Sequence, residues 1–144
     1  MIDYRQNETL TFEEYYDFLT RSDLGSQYPI ERFEERITKL LTTRSVSITA
    51  RNHKGKLIGI AFGITDFVYF LFITDLGVDR AYVKQGIGSK LLHCLQHAAG
   101  GENDITVVTI ANEKATGFYK KSGYRSHDCL VVKPCGLWTD FKVV

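Results

Sequence analysis

Little in this sequence punctuates or cross-links the chain. Only two prolines and three cysteines occur among 144 residues, with one tryptophan and one methionine. Twelve glycines beside so few prolines argue against a Pro/Gly-rich disordered chain. Cys94, Cys129 and Cys135 are odd in number and lack paired spacing, which points to reduced thiols in a cytoplasmic protein, each packing as a small buried or half-buried side chain. No apolar run approaches the ~20 residues of a spanning helix. Leu57 to Thr65 stops at Asp66, and Phe67 to Thr74 stops at Asp75. The start, Met1-Ile2-Asp3-Tyr4-Arg5, lacks the basic-then-apolar order of a secretion signal. No repeat, low-complexity tract or linker divides the chain, so 1–144 reads as one domain with a single substantial core.

Charge of one dominant sign is also missing, since the net charge is +1. It is unevenly spread: residues 1–45 carry 9 acids and 6 bases (−3), and residues 46–144 carry 8 acids and 12 bases (+4). No dense basic run exists, which argues against a nucleic-acid partner, and no segment suits a membrane. The modest positive field of the second part suits a small polyanion or is simply a solvated surface.

What is present is periodicity. Ile2 to Arg5 reads as a short strand. Thr11-Phe12-Glu13-Glu14 fits a capping box opening a helix whose apolar stripe is Phe12, Tyr15, Tyr16 and Leu19. Pro29 suits the first position of a second helix carrying Ile30, Phe33, Ile37, Leu40 and Leu41. Val46 to Ala50, Leu57 to Thr65 and Tyr69 to Val78 read as strands, with a turn at His53-Lys54-Gly55-Lys56. Ile87, Leu91, Leu92 and Leu95 mark a helix over 86–99 that stops at Gly100-Gly101. Ile105 to Ile110 reads as a buried strand, and Asn112 caps a helix ending at Gly123. Residues 125–133 and 137–143 read as two closing strands around Pro134-Cys135-Gly136. The order predicts an α/β (α+β) domain, a mixed sheet of about seven strands flanked by about four helices.

Chemistry concentrates in Leu76-Gly77-Val78 and the loop that follows it, Val83-Lys84-Gln85-Gly86-Ile87-Gly88, running into Ser89 and Lys90. The glycines allow a tight turn and bring bare N–H groups toward a ligand. The first turn of the next helix adds unpaired donors and the positive end of the dipole, an arrangement suited to phosphate or pyrophosphate. A Walker A loop would need Lys-Ser/Thr after its last glycine, but Ser89-Lys90 is in the reverse order. A dinucleotide fingerprint would need glycine where Leu91 stands.

The strand ending Leu76-Gly77-Val78 and the glycine loop together resemble the acetyl-CoA-binding motif of the GNAT superfamily of N-acetyltransferases. Val83 stands where that pattern has Gln or Arg, which bears on a side-chain contact from this position and not on the backbone amides. Downstream, Ile105 to Ile110, Asn112, Ala115, Phe118-Tyr119 and Gly123-Tyr124 resemble the second motif of the same family. Asn112, Ala115 and Tyr119 fall on one helix face, where a small Ala leaves room for a ligand tail.

The resemblance implies a single-domain GNAT fold in which the strands at 69–78 and 105–110 run parallel and then splay. The pantetheine arm of acetyl-CoA would lie in that gap, against Leu76 and Val78, with a strand bulge expected near Leu76-Gly77. It implies direct attack of a primary amine on the thioester, an oxyanion donor at the amide of Leu76 or Gly77, and Tyr119 as general acid on the CoA thiolate. The alternatives are a core role for Tyr119 and a packing role for Gly77. Asp75 is the nearest carboxylate to serve as general base, or it is structural. The family takes its acceptor specificity from the first two helices, their loop and the terminal strands. Here these carry Tyr15, Tyr16, Phe18, Tyr28, Phe33 and Trp138, with Asp17, Asp23 and the acids of 31–35, an aromatic and mildly acidic lining for a small cationic amine unless those aromatics are helix core. A protein N-terminal or lysine acetyltransferase and a non-catalytic acetyl-CoA sensor are the alternatives, and homodimerisation is left open. No metal site is expected, because His93 and His97 (i, i+4) have no third ligand and read as solvent-facing.

Overall fold

Central strands buried on both faces set the layering. The computed structural model describes residues 1–144. The elements in chain order are β1 (Asp3–Gln6), α1 (Phe12–Thr20), α2 (Phe33–Thr43), β2 (Val46–Arg51), β3 (Leu57–Thr65), β4 (Phe70–Val78), α3 (Ile87–Ala99), β5 (Thr106–Thr109) and α4 (Glu113–Lys121), with short 3₁₀ turns at Asp23–Ser26 and Arg80–Tyr82. The sheet runs β1-β2-β3-β4-β5, antiparallel except for the β4–β5 pair. A parallel neighbour needs a crossover, and α3 supplies it.

Each sheet face is covered by its own helices. Ile87, Leu91, Leu92, Leu95 and Ala99 of α3 pack on Val46, Ile48, Ala50, Ile58, Ala61, Leu71 and Ile73, together with Tyr119 of α4. On the other face, Tyr15, Phe18 and Leu19 of α1 and Ile37 and Leu41 of α2 cover Leu57, Ile60 and Phe62. The local signals read from sequence operate here. Thr11 Oγ1 accepts from the Glu14 amide at 3.1 Å, and Asn112 Oδ1 from the Ala115 amide at 2.9 Å. Gly100 and Gly123 take φ of 144° and 93° at the ends of α3 and α4.

A bulge in β4 governs the site. Phe62 pairs with Asp75 but Gly63 pairs with Ile73, so Thr74 is the extra residue. Strand residues alternate faces, and one extra residue reverses the phase. Leu71 and Ile73 therefore point into the α3 core, while beyond the bulge Leu76 and Val78 take that side. Asp75, opposite Phe62, turns to the face of α1 and α2, as does Gly77. The bulge lies before the expected position at Leu76-Gly77.

Three expectations are corrected. The sheet has five strands, because residues 125–143 add none. An apolar run makes a strand only where an edge receives it. Here 125–140 is exposed throughout, and the last residues anchor elsewhere: the Ile30 amide donates to Thr139 O at 3.0 Å and the Val143 amide to Gly25 O at 2.8 Å. Pro29 does not open α2, which begins at Phe33 after Arg32 at φ 50°; Pro29 instead bridges to Asp140. Cys129 and Cys135 are exposed rather than buried, and only Cys94 is half-buried.

An ion cluster ties α1 to the sheet. Buried Arg51 donates to Glu8 at 2.8 Å and, through both terminal nitrogens, to Glu14 at 2.8 and 2.9 Å. Its hydrogen bond holds the Glu14 carboxyl below its usual range. A depressed carboxyl contributes stability at pH above its unfolded value, ~4.3, and that stability is lost as pH falls through the folded value. Arg51→Ala is expected to cost about 2–3 kcal/mol at neutral pH, seen as a lower thermal midpoint, and to cost less as the medium is acidified. An equal penalty at both pH values would contradict the pairing.

Candidate active site

The pairing of β4 with β5 stops at Ile73 and Thr109, where the Thr109 hydroxyl donates to Ile73 O at 3.1 Å. β5 ends there, and the uncovered edge of β4 beyond it borders a groove of about 1020 Å³ lined by Leu76, Gly77 and Val78 on one side and Asn112, Ala115, Phe118 and Tyr119 on the other. The Asp79 amide donates to Ile58 O at 2.8 Å. Alternation from Asp79 turns the Gly77 backbone groups toward β3 as well, and leaves those of Leu76 and Val78 on the open edge facing the groove. A Cβ at Gly77 would lie 2.5 Å from Leu24 Cδ1, so this glycine serves packing against the 3₁₀ turn of residues 23–26.

The far end of the groove is built by the glycine loop. Lys84 and Gly86 adopt left-handed φ of 61° and 81° and swing the chain into α3. The Lys90 amide donates to Gly86 O at 3.1 Å, the first bond of the helix. The amides of Ile87, Gly88 and Ser89 are left without helical acceptors at the positive end of the dipole. Val83, Lys84, Gly86, Ile87, Gly88 and Ser89 all line the groove, whereas Gln85 and Lys90 do not. Asp23, named from the sequence for the acceptor side, also lines it, as do Ser26, Gln27, Glu113 and Lys114, which no motif in the sequence flagged.

Tyr119 is 8% exposed and sits in a T-shaped pair with Phe118 and a tilted one with Tyr124. Burial pushes its phenol above the usual tyrosine value; the Thr109 side chain opposes this, and the charge of Asp75 adds to it. The group stays protonated at neutral pH and can give a proton to an anion formed beside it.

Asp75 lies 8% exposed at the floor of a second cavity of about 220 Å³, walled by Tyr28, Phe33, Arg36, Ile37 and Trp138. The Tyr28 hydroxyl donates to Asp75 Oδ1 at 2.6 Å and the Thr74 hydroxyl to Oδ2 at 2.7 Å. Tyr15 and Tyr28 share a hydrogen bond of 2.5 Å. Burial raises the Asp75 carboxyl, against the pull of Tyr28, Thr74 and Arg44. Burial also holds Tyr15 and Tyr28 well above the usual phenol value, so both remain donors. The two cavities adjoin along the chain: Gln27 and Leu76 line the groove, and their neighbours Tyr28 and Asp75 line the smaller cavity.

The aromatics named from sequence divide accordingly. Tyr28, Phe33 and Trp138 wall the cavity, while Tyr15 and Phe18 are core. The Tyr15–Tyr28–Asp75 chain was not legible, because it joins α1, a loop and β4 with no fixed spacing. His93 is exposed and meets Glu102, and no group of three metal-ligating side chains gathers anywhere. No helix is long and apolar enough to cross a membrane.

Because the Tyr28 hydroxyl favours the charged carboxylate, Tyr28→Phe is expected to raise the Asp75 pKa further, read by carboxyl carbon NMR against pH. A value that stayed put or fell would contradict this role.

Residues 10–124, well over half the chain, match the acetyltransferase (GNAT) family. No curated protein matches the sequence. Solved structures share the fold at low identity. A GNAT-family acetyltransferase of Streptococcus pneumoniae is 22% identical with a TM-score of 0.73, over 94% of this chain and 98% of that one. A predicted acetyltransferase of Clostridium acetobutylicum, solved with acetyl-CoA, is 16% identical with a TM-score of 0.71, over 93% and 96%. An aminoglycoside N-acetyltransferase in complex with CoA is 14% identical with a TM-score of 0.68, over 94% and 95%. With both sequence motifs set around one groove and the family match spanning them, this chain belongs to the GNAT acetyltransferase family.

Proposed function

We propose that the protein transfers the acetyl group of acetyl-CoA to the nitrogen of a small primary amine. The observation that carries this reading is the groove at the end of the β4–β5 ladder: bare helix amides at one end, an open strand edge along it and protonated Tyr119 in its wall, with a carboxylate-floored second cavity adjoining it along the chain. The residues fit the coenzyme. At Gly86 a Cβ would meet nothing within 4 Å, which leaves that wall open, and Lys84 adds charge next to the unpaired amides of residues 87–89. Acetyl-CoA in structures of other family members supports the same choice.

Bound there, acetyl-CoA supplies an activated acyl carbon and a thiolate leaving group. The amides of Ile87, Gly88 and Ser89 would hold its diphosphate, and the backbone of Leu76 and Val78 would pair with its arm. The Leu76 N–H faces the groove and would stabilise charge developing on the carbonyl oxygen. Asp75, its carboxyl raised above the usual range by burial, takes one proton from the incoming ammonium and frees the nitrogen lone pair. As the C–N bond forms and the C–S bond breaks, Tyr119 donates its proton to sulfur and recovers one from the new amide nitrogen. Asp75 then releases its proton to water. The small second cavity favours a compact amine over an extended peptide, and the intact Tyr119 favours turnover over a silent sensor.

Two measurements test this. Thiol release from acetyl-CoA with a panel of amines should show turnover, and Tyr119→Phe should lower kcat by about 10²–10⁴ with CoA affinity little changed. An unaltered kcat would remove Tyr119 as the acid. Gly86→Val, forced to φ 81°, should abolish CoA binding in calorimetry while the chain stays folded. Retained affinity would exclude this loop as the diphosphate site.

A further inference from the structure

The smaller cavity carries charge of both signs. On its floor, Asp75 receives one hydroxyl donor on each oxygen, which leaves a lone pair on each for a further donor. On the α2 wall stands Arg36. Arg32, one turn earlier, pairs with Glu35; Arg36 forms no ion pair, and the one carboxyl its field lowers, Glu31, already accepts from Thr139. The cation whose field acts on Asp75 is Arg44, half-buried over the Phe62 ring at 4.4 Å, so Arg36 is not spent on neutralising the floor. Between the two charges the walls are apolar: Phe33, Ile37, Leu40 and Trp138. An unpaired guanidinium repels a second ammonium and offers a planar fork to a carboxylate.

We infer that this cavity is the acceptor site and selects a zwitterionic amine: one ammonium for Asp75, one carboxylate for Arg36, and a compact aromatic or branched apolar body between them. The inference rests on the acetyl-transfer reading for its chemistry and on the cavity alone for its ligand class. It disfavours polyamines and other polycations, which would set a second positive charge against Arg36.

Trp138 is the chain's only tryptophan and lines the cavity, so its fluorescence reports filling without turnover. The full chain, saturated with CoA, is titrated with phenylalanine and with 2-phenylethylamine, which differ only in the carboxylate. Phenylalanine is expected to bind about tenfold more tightly, and Arg36→Gln to bring that ratio close to one. Arg36 is exposed and unpaired, so the variant folds. Equal affinities, a preference for the carboxylate-free amine, no saturable change with either, or a ratio that survives Arg36→Gln would each overturn the inference. Thiol release from acetyl-CoA separates the two readings. Arg36-dependent binding of phenylalanine without thiol release keeps the site and sinks the transfer. Release with both amines and no such preference keeps the transfer and sinks the site.

Discussion

One extra residue in β4 organises this molecule. A strand keeps its faces by strict alternation, so the inserted Thr74 exchanges them for everything that follows. Without it, Asp75 would point with Leu71 and Ile73 into the α3 core, where an unpaired carboxylate costs several kcal/mol. With it, the same carboxyl lies under Tyr28 and Thr74, opposite the apolar wall of α2. The bulge also coincides with the end of the β4–β5 ladder at Ile73 and Thr109, so β4 changes face and loses a neighbour at one place. The groove and the smaller cavity both follow from that coincidence.

Burial then assigns protons. Tyr119 on the α3 face and Tyr28 on the other are both held above the usual phenol range, and both remain donors. Asp75 is raised too, but two hydroxyls and the distant Arg44 work against that rise and favour its charged form. The result is a phenol that keeps its proton on one side of the open strand edge and a carboxyl raised by burial on the other. The acyl transfer proposed above would use this pairing, a base for the nucleophile and an acid for the leaving group.

Much of the frame was legible because its signals are local. The Thr11 and Asn112 caps, the α3 stripe and the left-handed glycines act within a few residues of themselves. The glycine loop and the Asn112–Tyr119 helix were readable for the same reason, and they line one groove. The C-terminal strands failed because β character needs a receiving edge, which no run of side chains carries within itself. Pro29 was misplaced because the competing partner, Asp140, is more than a hundred residues away.

From its sequence alone, the chain determined where most helices begin and stop, which stripe each one buries, and where bare helix amides stand unpaired, since all of these depend on neighbours within about two turns. Only the tertiary structure decided which way Asp75 points, that Tyr28 and Tyr15 stand behind it, and that Leu24 leaves no room for a Cβ at Gly77. Those facts depend on the phase of one strand against another and on segments that meet from opposite ends of the fold. A single inserted residue resets that phase, and its effect appears only when the partner strand is in place.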